Sequence, residues 1–372
     1  MSDSPGLPAK PRVPRYFHLV PMGKEAIQLR GAHKTVVLSG KSVPALTKLL
    51  NLSDGRRSVD DLVAEFPDIP SDDILKTLRM LRERGVLEDA VPHPSAKPEH
   101  RDQITMFSII YGDGEIPQDI LSKSRMVAFG LGRVGSHAVL SLARAGIGWL
   151  TLVDDAPVDP SLSVTGAFYR PDDAGRPRVE VALERLSPLH PNTQLEGLGC
   201  GYKDTQAAQA MDGADLVLVC QDGPAEDVYK HVNRVALKTG VRWMRVSLDG
   251  FEAQVGPCFV PYDTACYTCL DLRSQANWTH FEENAAFQKY LLSGKVKGDY
   301  GCLAPMSGLL GNLAAMECIR LLTGVTNPIT CGKLWTFNVN TFEAQSHEVL
   351  KLPRCPSCGL APKGPTKALW EL

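Results

Sequence analysis

The run MVAFGLGRVG, residues 126–135, constrains this chain more than any other stretch. Met126–Phe129 is a short apolar strand. It runs into Gly130, Gly132 and Gly135 in G-x-G-x-x-G order, and an apolar helix over Ser136–Ala145 follows. This strand–turn–helix context is the one in which such glycines have separate tasks. Gly130 permits the tight turn, Gly132 is expected to let backbone approach a phosphate, and Gly135 lets helix pack closely on strand. The helix start then offers unpaired N–H groups to an anion. Asp154, at the end of the next apolar run and 19 residues past Gly135, is placed to hold a ribose hydroxyl. The motif alone admits an active nucleotide site, an NAD-dependent enzyme, or a sheet whose nucleotide site is vestigial.

The pattern continues along the chain. Leu150–Val153 is a second strand, and Asp215–Cys220 repeats it with DLVLVC. Strands alternating with helices imply an α/β fold, a Rossmann-like, doubly wound, mostly parallel sheet. Leu334–Leu350 is expected to add late antiparallel strands. Leu303–Thr323 is the most apolar stretch, but Asn312, Glu317 and Arg320 interrupt it, so it reads as a buried helix and not a membrane span. Asp271–Tyr300, with Trp278, Phe281 and Phe287, has no clear periodicity and is expected to be a packed surface loop.

Two C-x-x-C knuckles, Cys266/Cys269 and Cys355/Cys358, are separated by 85 residues. Together they offer four thiolates, the set for a closed tetrahedral zinc site with a structural role. The N-terminus has no apolar signal segment, so a cytoplasmic, reducing setting is expected, where such pairs indicate metal before disulfides. Of the other cysteines, most fall in apolar runs and read as core; Cys302 lies in a Gly-flanked polar segment, as packing or as a nucleophile. Lys plus Arg number 40 against 42 Asp plus Glu, a formal net charge of -2. That balance gives no bulk-charge reason for a nucleic-acid or membrane partner.

The front of the chain has its own pattern. Residues 1–13 look disordered, 14–89 form a small unit, and 90–99 read as a linker before a large domain over 100–372. In the small unit, extended runs at Tyr16–Val20, Ala26–Leu29 and Thr35–Leu38 precede helix signals. Ser58 and Asp61 resemble a capping box, and Ser71 is expected to cap a second helix carrying Ile74, Leu75, Leu78 and Leu81. Gly85 ends that helix. Three strands followed by helices suggest a winged helix. A DNA-binding version would use Arg56, Arg57, Arg79, Arg82 and Arg84, but Asp54, Asp60, Asp61, Asp72 and Asp73 interleave with them and speak against a basic face.

The segments FGLGRVG, LTLVDDAPVD, DLVLVCQD, CYTCL, GCLAPMSGLLGNLAAMECIRLLTG and CPSCG together resemble the ThiF/MoeB/HesA family, bacterial relatives of ubiquitin-activating enzymes, from about His100 to Gly359. The resemblance implies adenylation of a carboxylate, usually a peptide C-terminus, with ATP and magnesium. It also implies a homodimer. Several positions depart from the family pattern. Its Arg-Gln pair is Asp102-Gln103, a further loop glycine is Arg133, and the Asp two residues past the ribose acid is Ala156. The run Ser-Asn-Leu-x-Arg-Gln is Ser161–Gly166 here, the phosphate-binding Lys is Arg178, and Asp-Asn is Asp222-Gly223; Asp154 and Asp222 remain. A triphosphate and a developing adenylate need several cations and donors, so these losses predict weak or absent ATP chemistry. Arg133 either adds charge beside the phosphate loop or fills the pocket with its side chain.

Residues 14–89 resemble the PqqD-like recognition elements of ribosomal peptide pathways, which hold a leader peptide as an added strand. By that resemblance the edge is Lys34, Thr35, Val36, Val37 and Leu38, and the neighbouring helix contributes Leu75, Leu78 and Arg79. The combination resembles the leader-binding partner proteins of azole- and azoline-forming clusters, which deliver a precursor peptide to a YcaO-type enzyme. Two readings follow: a peptide-presenting partner with a degenerate site, or an active adenylyltransferase using Asp154, Arg178 and Asp222 for nucleotide and magnesium.

Overall fold

The computed structural model describes residues 6–32, 34–90, 97–223, 225–292 and 301–359. By its internal contacts the chain divides into two compact units, Met1–Ile120 and Leu121–Leu372.

The first unit starts earlier than its sequence suggests. Residues 1–5 lie outside the described ones, but strand β1 (Pro11–Arg12) pairs antiparallel with a later strand at Glu88–Asp89, so the segment before residue 14 is not structureless. Pro11 offers only its carbonyl, which accepts from Gly55 N–H at 3.0 Å. Strands β2 (His18–Pro21), β3 (Ala26–Arg30) and β4 (Thr35–Ser39) form an antiparallel sheet in the order β2-β3-β4. Helices α1 (Val43–Leu52), α2 (Val59–Ala64) and α3 (Ser71–Glu83) follow. Helix α1 was not expected; its signal is Pro44 in the first turn, a favoured helix start. Ser58 and Asp61 make the anticipated capping box. Ser71 does not cap α3. Pro70, at ψ 132, is the residue that opens the helix, and its carbonyl takes the N–H groups of Asp73 and Ile74. Gly85, at φ +62, closes α3: its N–H reaches Arg82 O and that of Val86 reaches Leu81 O. Leu29, Leu49, Leu62, Leu78 and Leu81 form the centre of this unit's core. Strand β5 (Glu88–Asp89) then leads towards the linker, of which 91–96 lie outside the described residues, and helices α4 (Arg101–Tyr111) and α5 (Glu115–Lys123).

The second unit is a sandwich of helices about one eight-stranded sheet. Its elements are β6 (Arg125–Phe129), α6 (Arg133–Arg144), β7 (Trp149–Val153), α7 (Leu162–Thr165), α8 (Arg178–Leu186), β8 (Gln194–Leu198), α9 (Thr205–Met211), β9 (Leu216–Gln221), α10 (Glu226–Thr239), β10 (Trp243–Asp249), β11 (Glu252–Phe259), α11 (Tyr267–Ala276), α12 (Phe281–Leu292), α13 (Ala304–Thr323), β12 (Lys333–Asn338) and β13 (Ala344–Glu348). The strand order is β13-β12-β11-β10-β9-β6-β7-β8. The five strands from β8 to β10 are parallel, and β11, β12 and β13 continue antiparallel. Because β6 lies between β7 and β9, the chain reverses its winding there, and the crevice at the carboxyl ends of β6 and β9 is the usual ligand position in such sheets.

Strand residues alternate between two cores. Met126, Ala128, Leu216 and Leu218 face the side of α6, α8 and α13, whereas Val127, Phe129, Val217 and Val219 face α9 and α10. Both faces are covered, which explains why these strands read as unbroken apolar runs. The expected loop over 271–300 is instead helical in α11 and α12, with 293–300 outside the described residues. Phe281, Phe287 and Tyr290 stay exposed, so α12 lacks the apolar stripe by which a sequence announces a helix.

Candidate functional site

The Gly-rich turn is built as anticipated in two respects and differently in a third. Gly130 has φ +86, and a side chain there would collide with Cys220 O. Gly135 brings α6 onto the turn so tightly that a Cβ would lie 1.9 Å from Gly130 O. Gly132 does not make room for a phosphate in this structure. A Cβ there would lie 1.6 Å from Asp222 Oδ2, so the glycine accommodates the protein's own carboxylate.

That carboxylate accepts from Arg133 N–H at 2.8 Å, at the first residue of α6. An anion belongs at a helix N-terminus, and Asp222 supplies it from the end of β9. Arg133 folds over the same residue. Its guanidinium donates to Asp222 O at 2.8 Å, and its Nε stands 3.9 Å from Oδ1. Beside it, a small cavity bounded by Arg133, Val134, Gln221, Asp222, Leu248 and Gly301 is about 10 Å³, room for about one water.

Asp154 behaves similarly. Its Oδ2 accepts from Leu131 N–H at 2.7 Å and its Oδ1 from Ala156 N–H at 2.8 Å. Arg178 pairs with it at 3.3 Å and donates to Pro157 O at 3.0 Å. The seven residues assigned from the sequence (Gly130, Gly132, Arg133, Gly135, Asp154, Arg178 and Asp222) therefore do gather at one turn. The N–H groups of Leu131 and Arg133 that would cradle a phosphate are already taken by Asp154 and Asp222. In this arrangement the residues do not fit a bound triphosphate.

Sequence reasoning missed the residues that hold the turn. Tyr169, buried, donates to Leu131 O at 2.6 Å, and burial pushes its hydroxyl pKa upward. Ser136 Oγ accepts from Ala167 N–H, and His137 Nε2 and Ser307 Oγ both meet Thr165 O. Residues 165–169 are thus stitched across α6. Nothing in their local pattern signals this, since every partner lies at least 28 residues away. Cys302 is partly buried, with its Sγ–H directed at Leu303 O, and burial pushes its thiol up, which argues against the nucleophile reading.

The four cysteines meet on the α9–α10 side of the sheet, and all are buried. Their sulfurs all lie within 4.8 Å of one another. Cys266–Cys269, Cys266–Cys355 and Cys269–Cys358 separations are 3.9, 3.7 and 3.6 Å. Four sulfurs at about 2.3 Å from a tetrahedral metal stand about 3.8 Å apart, so the donor set fits a four-thiolate metal site. The surroundings fix both knuckles. Asn233 Oδ1 accepts from Tyr267 N–H at 2.9 Å, Leu352 N–H points at Cys269 Sγ, and Arg273 donates to Leu350 O.

In the first unit, among the described residues, β4 has only β3 as a sheet neighbour. Val37 is 52% exposed, Thr35 is exposed and Val36 half-buried, whereas Leu38 is buried. Lys34 Nζ is bound to Arg84 O at the end of α3. On α3, Arg79 is exposed and Leu75 half-buried, but Leu78 is wholly buried. Leu78 is therefore a core residue and not a peptide contact; its spacing was right for the helix, and the face it occupies is turned inward.

Among known proteins, the ThiS adenylyltransferase of Escherichia coli K12 is 31% identical over 242 residues, 65% of this chain and 88% of its own. The molybdopterin-synthase adenylyltransferase of the same organism is 28% identical over 65% of this chain and 90% of its own. Structures of E. coli MccB share the fold, with a TM-score of 0.72 at 19% identity over 94% of this chain and 99% of theirs. No helix among the described residues is long and apolar enough to cross a membrane. The sheet order, the turn at its switch point and the match of residues 100–359 to the ThiF family model agree, and the chain belongs to the ThiF family.

Proposed function

We propose that this protein is a peptide-presenting member of its family: its front unit holds the leader of a ribosomally made precursor peptide, and a separate YcaO-type cyclodehydratase performs the azole- or azoline-forming chemistry. The observation that carries this reading is the self-satisfied turn. Asp222 and Asp154 occupy the N–H groups that a nucleotide phosphate needs, and Arg133 seals the site where the family pattern has glycine. A triphosphate would have to displace two carboxylates with which it shares a charge sign, with one fewer backbone approach and no Arg-Gln pair to help. The front unit, whose three-stranded sheet β2-β3-β4 is followed by helices α1, α2 and α3, is read as a PqqD-like winged helix. The unpaired side of β4, beside the exposed Val37 and with Arg79 on α3, is the edge on which a leader strand adds.

Zinc in the four-cysteine site has a structural role in this reading, since four thiolates leave no position for substrate. A cytoplasmic homodimer follows the family resemblance. MccB, which shares this fold, has been solved with ATP and with N-formylated MccA.

Calorimetric titration with ATP and magnesium tests the site. No binding up to millimolar nucleotide is expected. Micromolar binding, with pyrophosphate exchange that disappears in Asp222→Ala, would replace this reading with an active adenylyltransferase. The peptide half is tested separately, by precursor affinity of the full chain carrying Val37→Asp and Arg79→Glu. A loss of tenfold or more is expected, and unchanged affinity refutes the leader site.

A further inference from the structure

Neither the Gly-rich turn nor the cysteine tetrad uses Cys258 or Cys331. Cys258 lies near the end of β11 and packs with Met244 and Cys318 in the core on the α6–α13 side of the sheet, whereas the tetrad occupies the opposite face. Cys331 lies just before β12 and pairs with Cys258 in a parallel β-bridge. Backbone fixes that pairing on both sides. Cys258 N–H donates to Thr330 O at 2.9 Å, and Gly332 N–H donates to Cys258 O at 3.4 Å.

Bridged residues stand about 4.8 Å apart and send their side chains to the same face, within the roughly 4.4–6.8 Å span of Cα atoms that a disulfide joins without backbone movement. The two thiols meet: Cys258 Sγ–H donates to Cys331 Sγ. Exposure separates them, because Cys258 is 0% exposed and Cys331 is open to solvent. An oxidant therefore reaches one sulfur, with the other in contact behind it. The Cys258 hydrogen bond holds the Cys331 thiol down at about 7. Arg242, anchored by Nη1 on Leu321 O at 3.0 Å, favours thiolate at both sulfurs, and Glu317 and Asp263 oppose it at Cys331. An exposed, readily ionised thiol beside a second thiol is the arrangement on which peroxide chemistry acts.

We propose that Cys258 and Cys331 form a reversible oxidation site, at which a hydroperoxide oxidises Cys331 and Cys258 closes a disulfide between β11 and the segment entering β12. The Cys331 thiolate attacks a peroxide oxygen, so an S–O bond forms as the O–O bond breaks. The departing hydroxide takes up the proton that Cys331 released and leaves as water. Cys258 sulfur then attacks the sulfenic sulfur. The S–S bond forms, the S–O bond breaks, and the leaving oxygen takes the Cys258 proton and departs as a second water. The two thiols together lose two electrons and hydrogen peroxide gains them. A dithiol reductant reopens the bond by thiol–disulfide exchange. Because Cys258 already touches Cys331, the disulfide closes before a second peroxide can carry Cys331 to the sulfinic acid.

The test treats reduced, full-length protein with a small molar excess of hydrogen peroxide, quenches with iodoacetamide and maps the cysteines by mass spectrometry. Chymotryptic cleavage at Phe259 and Tyr262 separates Cys258 from Cys266, so the two sets of cysteines are read apart. Most of the protein should carry a Cys258–Cys331 linked pair, about 2 Da lighter than the two reduced peptides together, and dithiothreitol should restore both thiols. Cys331→Ser should leave Cys258 reduced under the same treatment. Cys331 is exposed, and an unchanged circular dichroism melt will show that this variant folds. Cys258→Ser should leave Cys331 as a sulfenic acid that dimedone traps, a product that should be scarce in the unsubstituted protein. Three results overturn the site: Cys331 carried to the sulfinic acid with Cys258 still reduced, Cys331 linked to a second chain, or oxidation confined to other cysteines while this pair stays reduced. Oxidation of Cys258 in the Cys331→Ser protein also overturns it, since the buried thiol would then not need its exposed partner.

Discussion

Removing one thiol of the cysteine tetrad is the most informative perturbation of the large unit. Cys266 stands at the start of α11 and Cys355 near the end of the described chain, so a metal held by all four closes the loop between Cys269 and Cys355. Constraining a loop of that length in the unfolded chain is worth about 4–5 kcal/mol by the relation used for cross-links. Metal–thiolate binding contributes further, so Cys266→Ser should cost at least about 4 kcal/mol. For a unit of this size that corresponds to a fall in Tm on the order of 10 °C. The assay has two parts: metal analysis of purified protein, expected to give one zinc per chain, and calorimetric melting of wild type, Cys266→Ser and chelator-treated protein. Chelation should reproduce the variant's loss. Absence of stoichiometric metal, or a Cys266→Ser variant melting within about 2 °C of wild type, refutes the argument from sulfur geometry.

Other outcomes follow from close contacts elsewhere. Gly311 lets α13 lie against α6: a Cβ there would stand 2.5 Å from His137 Cβ and 2.6 Å from Val134 O, and backbone cannot give way cheaply. Gly311→Ala should therefore lose about 2 kcal/mol, seen as a Tm lower by about 4–8 °C, and an unchanged melt would contradict that packing. Cys331 is exposed beside Cys258, whose thiol hydrogen bond outweighs partial burial and lowers Cys331 to about 7. Because the lowered value favours thiolate, alkylation of Cys331 should rise with a midpoint near pH 7, while buried Cys220 and Cys318 stay unmodified; Cys258→Ala should return the midpoint towards the ordinary thiol range, as read by mass spectrometry of iodoacetamide adducts.

Where the chain's local chemistry is periodic or punctuated, the sequence was sufficient. The apolar runs at 126–129, 150–153 and 216–220 are strands because both faces of the sheet are covered, and that requirement writes itself into consecutive residues. The cysteine knuckles were legible because metal ligation demands a residue type at a spacing, and so was the capping box at Ser58. Helix α12 was not legible, having no apolar stripe, and neither was the pairing of Pro11–Arg12 with Glu88–Asp89, which joins segments far apart in the chain.

The occupant of the Gly-rich turn belongs to the second class. Gly132 and Asp222 are each consistent with nucleotide chemistry when read alone. Only the placement of β9 beside β6 brings Asp222, 89 residues downstream, onto Arg133 N–H, and only there does the turn prove to be filled by the protein's own carboxylate. Likewise, helical spacing put Leu78 on α3, but the packing of the first unit's core decided that it faces inward. Sequence determines which groups can form an element or hold a metal, because those demands are local. Which donor meets which acceptor depends on chain segments brought together by tertiary packing, and no local pattern encodes that meeting.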